Sequence, residues 1–219
     1  MLNSDGDLMS SPDHDHCLLR LLPEAFLPAL VPAMKLAYRR TERAMLEFPD
    51  SEAADLRGGY RRAEVERVFS QVVRETGGEC RAEQNHRNTS SFRLAHFGNV
   101  LLTVHKVGHV GAVPRHAEFR GELAWDGQFD LFREAEPTPA DAERIYLVVT
   151  HGPHPDTFAS PGFILLAQPD ARFRSYHHQV ELLSRFGGEL DEGESLIPEE
   201  TISPALTIKV RKSAAEDAG

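Results

Sequence analysis

Cysteine is scarce in this 219-residue chain, and the two present, Cys17 and Cys80, form no CxxC pair. That excludes a disulfide framework and a cysteine-paired zinc site, and it fits a reducing compartment. No apolar run approaches the ~18 residues that a membrane span requires. The first residues, Met1 to Cys17, contain Asp5, Asp7, Asp13 and Asp15 and no Lys or Arg. A secretory signal needs a basic start followed by an apolar core, so the sequence predicts a soluble, cytoplasmic protein with no membrane partner. An excess of positive charge is lacking too. With 24 Lys and Arg against 34 Asp and Glu, the net charge is −10, which argues against a surface that tracks nucleic acid throughout.

Catalytic signatures are equally sparse. There is no Gly-x-Ser-x-Gly elbow, no phosphate-binding P-loop and no HExxH. A metal-dependent nuclease would gather carboxylates beside a lysine such as Lys106, but its neighbours Thr103, Val104 and His105 supply none. The sequence therefore leans away from an enzyme and implies no cofactor, no catalytic residue and no metal ligand.

What is present reads as α+β. Residues 1–20 are expected to form a disordered tail, and residues 21–212 a single domain. Leu27, Val31, Met34 and Tyr38 share a helical stripe, with the regular helix expected to begin near Pro32. Gly58-Gly59 is expected to break the chain before a second helix over 61–75, marked by Val65, Val68, Phe69 and Val72 and closed by Gly77-Gly78. Its Arg61, Arg62, Arg67 and Arg74, offset by Glu64, Glu66 and Glu75, suggest a solvated face. The long gap from Phe48 to Arg61 argues against a helix-turn-helix. The period then changes to two. Gly98-Asn99 reads as a hairpin turn pairing Phe97 with Val100, Ala95 with Leu102 and Arg93 with Val104. A short helix is expected over 114–124, an exposed linker at about 125–142, and buried strands over 145–150 and 162–167. A helix is expected over 176–186, a last strand over 206–210, and a frayed tail over 213–219. The expected fold is thus N-terminal helices packed on a small, mainly antiparallel sheet, with a C-terminal helix.

Charge and histidine cluster in one stretch. Between Arg81 and Arg120 lie six basic residues against Glu83 and Glu118, together with His86, His96, His105, His109 and His116. One reading is a positive face for phosphate or an acidic partner; the other is dispersed local pairing. Either way, strong direct DNA binding is not expected. His105-x3-His109-x6-His116 and Asp13-His14-Asp15-His16-Cys17 have loose metal-ligand spacing without a zinc pattern. His151-Gly-Pro-His154 offers an acid/base pair, which a proline-ordered turn explains equally well.

Within the linker, Gln128-Phe129-Asp130-Leu131-Phe132 precedes a proline-rich acidic stretch. Adjacent Leu131 and Phe132 need burial, either in this core or in a partner's pocket, and the Gln128 amide can fix register at a pocket rim. The pentapeptide resembles the docking peptides, roughly Gln-Leu-(Ser or Asp)-Leu-Phe, with which bacterial replication and repair proteins bind the sliding clamp. Four of its five positions agree, and Phe129 replaces the usual aliphatic residue. The resemblance implies a bacterial DNA polymerase sliding clamp as partner. It also implies competition for the clamp's peptide pocket that inhibits or redirects replication. The chain is similar in layout to clamp-targeting toxins of the SocB type, and that likeness implies an antitoxin or proteolytic adaptor as a second partner. The alternative is a nucleic-acid-processing enzyme using the His-rich basic hairpin around His105, Lys106 and His109.

Overall fold

The computed structural model describes residues 17–84, 91–115, 118–126, 144–170 and 172–188, apart from the side chains of 118, 122, 125 and 126. A first helical turn, α1, covers residues 17–20. Its Leu18 is buried, so ordered packing begins within the segment assigned to the tail. The long helices α2 (Phe26–Met45) and α3 (Asp50–Glu75) form a hairpin. Both begin earlier than expected. In α2, Phe26, Leu27, Leu30, Val31 and Met34 are all buried. That burial outweighs the hydrogen bond forfeited at Pro32, inside the helix. In α3, Asp50 and Glu52 occupy the first turn, where carboxylates complement the helix dipole. The helix then runs straight through Gly58 and Gly59. The break expected there costs only about 1 kcal/mol per glycine, which packing against α2 overrides. The helix stops at Gly77, whose φ is +87°.

Six strands follow: β1 (Glu79–Gln84), β2 (Ser91–Phe97), β3 (Val100–Lys106), β4 (Ile145–Pro153), β5 (Pro161–Pro169) and β6 (Tyr176–Glu181). They form one sheet in sequence order, antiparallel except for the parallel pair β3/β4. Parallel neighbours require a crossover, and this one contains α4 (Glu118–Asp126). The fold is α+β. Two expectations need correction. Tyr176–Glu181 is an edge strand, and the C-terminal helix is the single turn α5 (Leu183–Phe186). The helical segment expected over 114–124 begins four residues later and closes at Asp126. Residues 189–219 lie outside the described residues, including the strand expected over 206–210.

The sheet is covered on both faces. The α2/α3 hairpin packs on one, where Phe26 meets Phe97 edge-on at 4.9 Å between ring centroids. On the other, Phe119, Leu123 and Ala124 of α4 join Phe92, Leu94, Leu101, Tyr146, Val148, Ala167 and Phe173. Among the described residues, no helix is long and apolar enough to cross a membrane.

The hairpin register holds at Phe97↔Val100 and Ala95↔Leu102, but the expected Arg93↔Val104 pair does not form. Pairing between β2 and β3 ends at Leu94↔Thr103. Beyond it, β2 stays with β1 as far as Gln84↔Ser91, and β3 stays with β4 as far as Lys106↔His151. The sheet forks. Side chains hold the fork open: Phe92 stacks on Phe119 at 3.9 Å, while Arg93 faces Glu66 of α3 at 3.9 Å.

Candidate functional site

The fork opens into a cleft of about 490 Å³ at the C-terminal ends of β3 and β4, between α3 and the chain leading into α4. Among the described residues its lining carries Arg62, Lys106, Arg115 and Arg120 against one carboxylate, Glu66. Each cation comes from a different element. Arg62, on α3, pairs with Glu66 at 2.7 Å and donates to the Ser91 carbonyl oxygen. Lys106 ends β3, exposed, with no carboxylate bound to it among the described residues. Arg115 stands exposed in the crossover, and Arg120 on α4 donates to its carbonyl oxygen. The Arg120 guanidinium lies 5.0 Å from the Phe119 ring centroid, and its buried Nε has no hydrogen-bond partner among the described residues. Burial lowers the Arg120 pKa; Tyr146 opposes that shift and the charge of Arg62 adds to it.

Two neutral imidazoles form the floor. His151 is 2% exposed, and its Nδ1 shares a 2.7 Å hydrogen bond with the hydroxyl of Tyr38 on α2. Burial, followed by the charges of Arg61 and Lys106, brings its pKa down to about 3. His105 is half-buried, with Nε2 2.9 Å from the Thr103 hydroxyl, which in turn lies 2.7 Å from the Tyr146 hydroxyl. Desolvation, then Arg120, His151 and Arg62, hold His105 well below the ordinary histidine range. Burial also raises the Tyr38 and Tyr146 hydroxyls above the usual phenol range. A cleft with cationic walls and an uncharged floor attracts anions.

Behind it, Arg61 is buried rather than solvated. Its Nη2 donates to Glu42 at 2.7 Å and to the Phe158 carbonyl at 3.0 Å, and its guanidinium lies 4.6 Å from the Tyr38 ring centroid. The two helices are joined by residues 46–49, so the length of the gap gives no ground against a helix-turn-helix. The arginines do: Arg61, Arg62 and Arg67 are committed to Glu42, Glu66 and Glu64.

The histidine patterns do not converge. His109 bonds the carbonyl of its own neighbour Val110, and His116 lies outside the described residues. Among the described residues, no cluster of three His, Cys, Asp or Glu is placed to hold a metal. His151 and His154 do not pair either: His154 is exposed and accepts the Asp156 N–H at 3.2 Å. Most of the Asp13–Cys17 run and the whole of Gln128–Phe132 lie outside the described residues. The sequence flagged Lys106, Arg115 and Arg120 through local charge excess, but Arg62 carried no signal, because only the forked sheet brings α3 beside β3.

No family model matches the chain, and neither a curated protein nor a solved structure matches it significantly.

Proposed function

We propose that this chain binds a bacterial replication sliding clamp through Gln128–Phe132. In this reading it acts in the cytoplasm, where it inhibits or redirects replication by occupying the pocket that polymerase and repair factors use. The observation that carries the proposal is the pentapeptide itself, with Leu131 and Phe132 as anchors and Gln128 as the rim contact. Chain length supports it. The crossover need only return along β3, whose seven residues span about 20 Å. Residues 127–143 extend to about 55 Å when fully stretched. Connections of this length in compact domains are more often functional or disordered than merely structural. The proline and acidic residues that follow suit display on the surface. The likeness to clamp-targeting toxins extends the proposal to the toxin half of a toxin–antitoxin pair, restrained by an antitoxin or a proteolytic adaptor. The alternative hydrolase gains nothing from the fork, since His105 and His109 form no acid/base pair.

Binding of purified bacterial clamp to the full chain, compared with Leu131→Ala/Phe132→Ala, tests the proposal. Each anchor is typically worth about 2 kcal/mol, so the double variant should bind roughly a thousandfold more weakly with an unchanged melting temperature. A collapsed melting temperature would make the pair core and sink the proposal, as would clamp binding that survives the double substitution.

A further inference from the structure

The cleft at the fork has features that clamp binding does not use. Its lining combines two chemistries: the cations Arg62, Lys106, Arg115 and Arg120, and the apolar groups Val104, Val113, Pro114 and the stacked Phe92/Phe119 pair. Glu66 already serves Arg62, so three cations face the cavity without a carboxylate among the described residues. Like charges converging in a half-buried space repel one another, and the cost is recovered only when an anion enters.

The orphaned group is specific. Arg120 packs its guanidinium against Phe119, spends Nη1 on the Arg115 carbonyl, and leaves a buried Nε unpartnered among the described residues. An unmet buried donor on a cation is a costly arrangement in an empty site and a productive one beside an acceptor-rich ligand. Charge matching indicates which anion. A carboxylate would neutralise one of these three cations, whereas a phosphate monoester carries about −1.5 to −2 at neutral pH and offers three acceptor oxygens. Size points the same way. The volume of about 490 Å³ falls in the range of small-molecule sites and would leave inorganic phosphate loose, so the apolar lining is free for an organic body. The neutral floor of His105 and His151 accommodates such a ligand without adding or cancelling charge.

We propose that the fork between β2 and β3 is a binding site for a phosphate monoester with an aromatic or apolar body, a mononucleotide or a ligand of similar size. The phosphate sits among Lys106, Arg115 and Arg120, and the body lies along Val104, Val113 and the Phe92/Phe119 pair. This site uses none of the residues of the clamp peptide, and neither proposal depends on the other.

Calorimetric titration of the full chain with AMP and with phenyl phosphate, beside inorganic phosphate and adenosine, tests it. At least one ester should bind with one-to-one stoichiometry, at least about tenfold tighter than either control. Lys106→Gln should weaken that binding by about tenfold with an unchanged melt, because Lys106 is exposed. Arg120→Gln should act in the same direction, and clamp binding should be unaffected by Lys106→Gln. The proposal is overturned by the absence of heat from both esters up to millimolar concentration, or by ester binding that ignores both substitutions. It is also overturned if a single-stranded or duplex oligonucleotide binds through Lys106 more tightly than AMP, which would make the fork a polynucleotide tract.

Discussion

Acidification should destabilise this protein through His151, and the sign follows from its surroundings. The ring is almost wholly buried, shares a hydrogen bond with Tyr38, and is flanked by Arg61 and Lys106, so its folded pKa is about 3. In the unfolded chain the same imidazole titrates near its ordinary value of 6.5. Between these two values the unfolded state holds a proton that the folded state refuses, so stability falls as pH falls through this window. Above about pH 7 both states are neutral and the contribution is flat. The limiting slope is about 1.4 kcal/mol per pH unit, which amounts to about 2 kcal/mol between pH 7 and pH 5. Against a typical domain stability of about 5–15 kcal/mol, that is a readily measured share.

Urea unfolding of wild type and His151→Gln at pH 7, 6 and 5 isolates the effect, because glutamine keeps a polar group near the Tyr38 hydroxyl but cannot titrate. The variant should be less stable at pH 7, and the gap should narrow by about 2 kcal/mol at pH 5. Parallel pH dependences in the two proteins would refute the argument. So would a His151 ring resonance that titrates near pH 6.5 in the folded state.

Four further outcomes are expected. Gln128→Ala should cost clamp binding about 1 kcal/mol, far less than the anchor pair, because it removes a single rim hydrogen bond; equal losses in the binding assay would contradict that. Gly59→Ala should raise stability by about 0.5–1 kcal/mol in denaturant melts, since Gly59 lies within α3 with open space where a Cβ would stand. Arg61→Ala should destabilise by about 2 kcal/mol or more, because it empties a buried site packed on Tyr38 and leaves Glu42 with Arg57 alone; a near-neutral melt would show the cluster to be dispensable. Duplex DNA should bind weakly and with steep salt dependence, so tight binding at physiological salt in an anisotropy titration would reverse the preference for protein and small-molecule partners.

Legibility in the sequence followed burial. The β2/β3 hairpin alternates cleanly around Gly98-Asn99, and the buried runs of β4 and β5 read as strands because both of their faces are covered. Strand β1 left no such trace. Its residues, Glu79 to Gln84, are nearly all exposed at the sheet edge, so no apolar alternation exists to be read. In β6, Tyr176 and Val180 stand four apart, a spacing that serves a helix face and one side of a strand equally. Pairing with β5 decides between them. The glycines of α3 misled for a related reason: local propensity weighs about 1 kcal/mol there, while the helix is held by contacts distant in sequence.

The site was half legible for a physical reason that also explains its position. A local excess of charge can be read from sequence, but the convergence of charge depends on where pairing stops. The alternation of β2 and β3 would let the hairpin ladder continue to Arg93↔Val104, and a closed ladder there would bring a cation beside an apolar residue and leave no cavity. Instead Phe92 is drawn to Phe119 on one face and Arg93 toward Glu66 on the other, while Arg62 serves the Ser91 carbonyl at the start of β2. Between them, these contacts join the fork to both layers, α4 and α3. The opening is therefore maintained by the packing of both layers, and the cations it gathers are set by topology more than by their order along the chain. That arrangement also reinforces the burial that keeps the histidines neutral. An imidazole at the tip of β3 or β4 feels Arg120 and Arg62, or Arg61 and Lys106, so protonating it would add charge beside charge of the same sign.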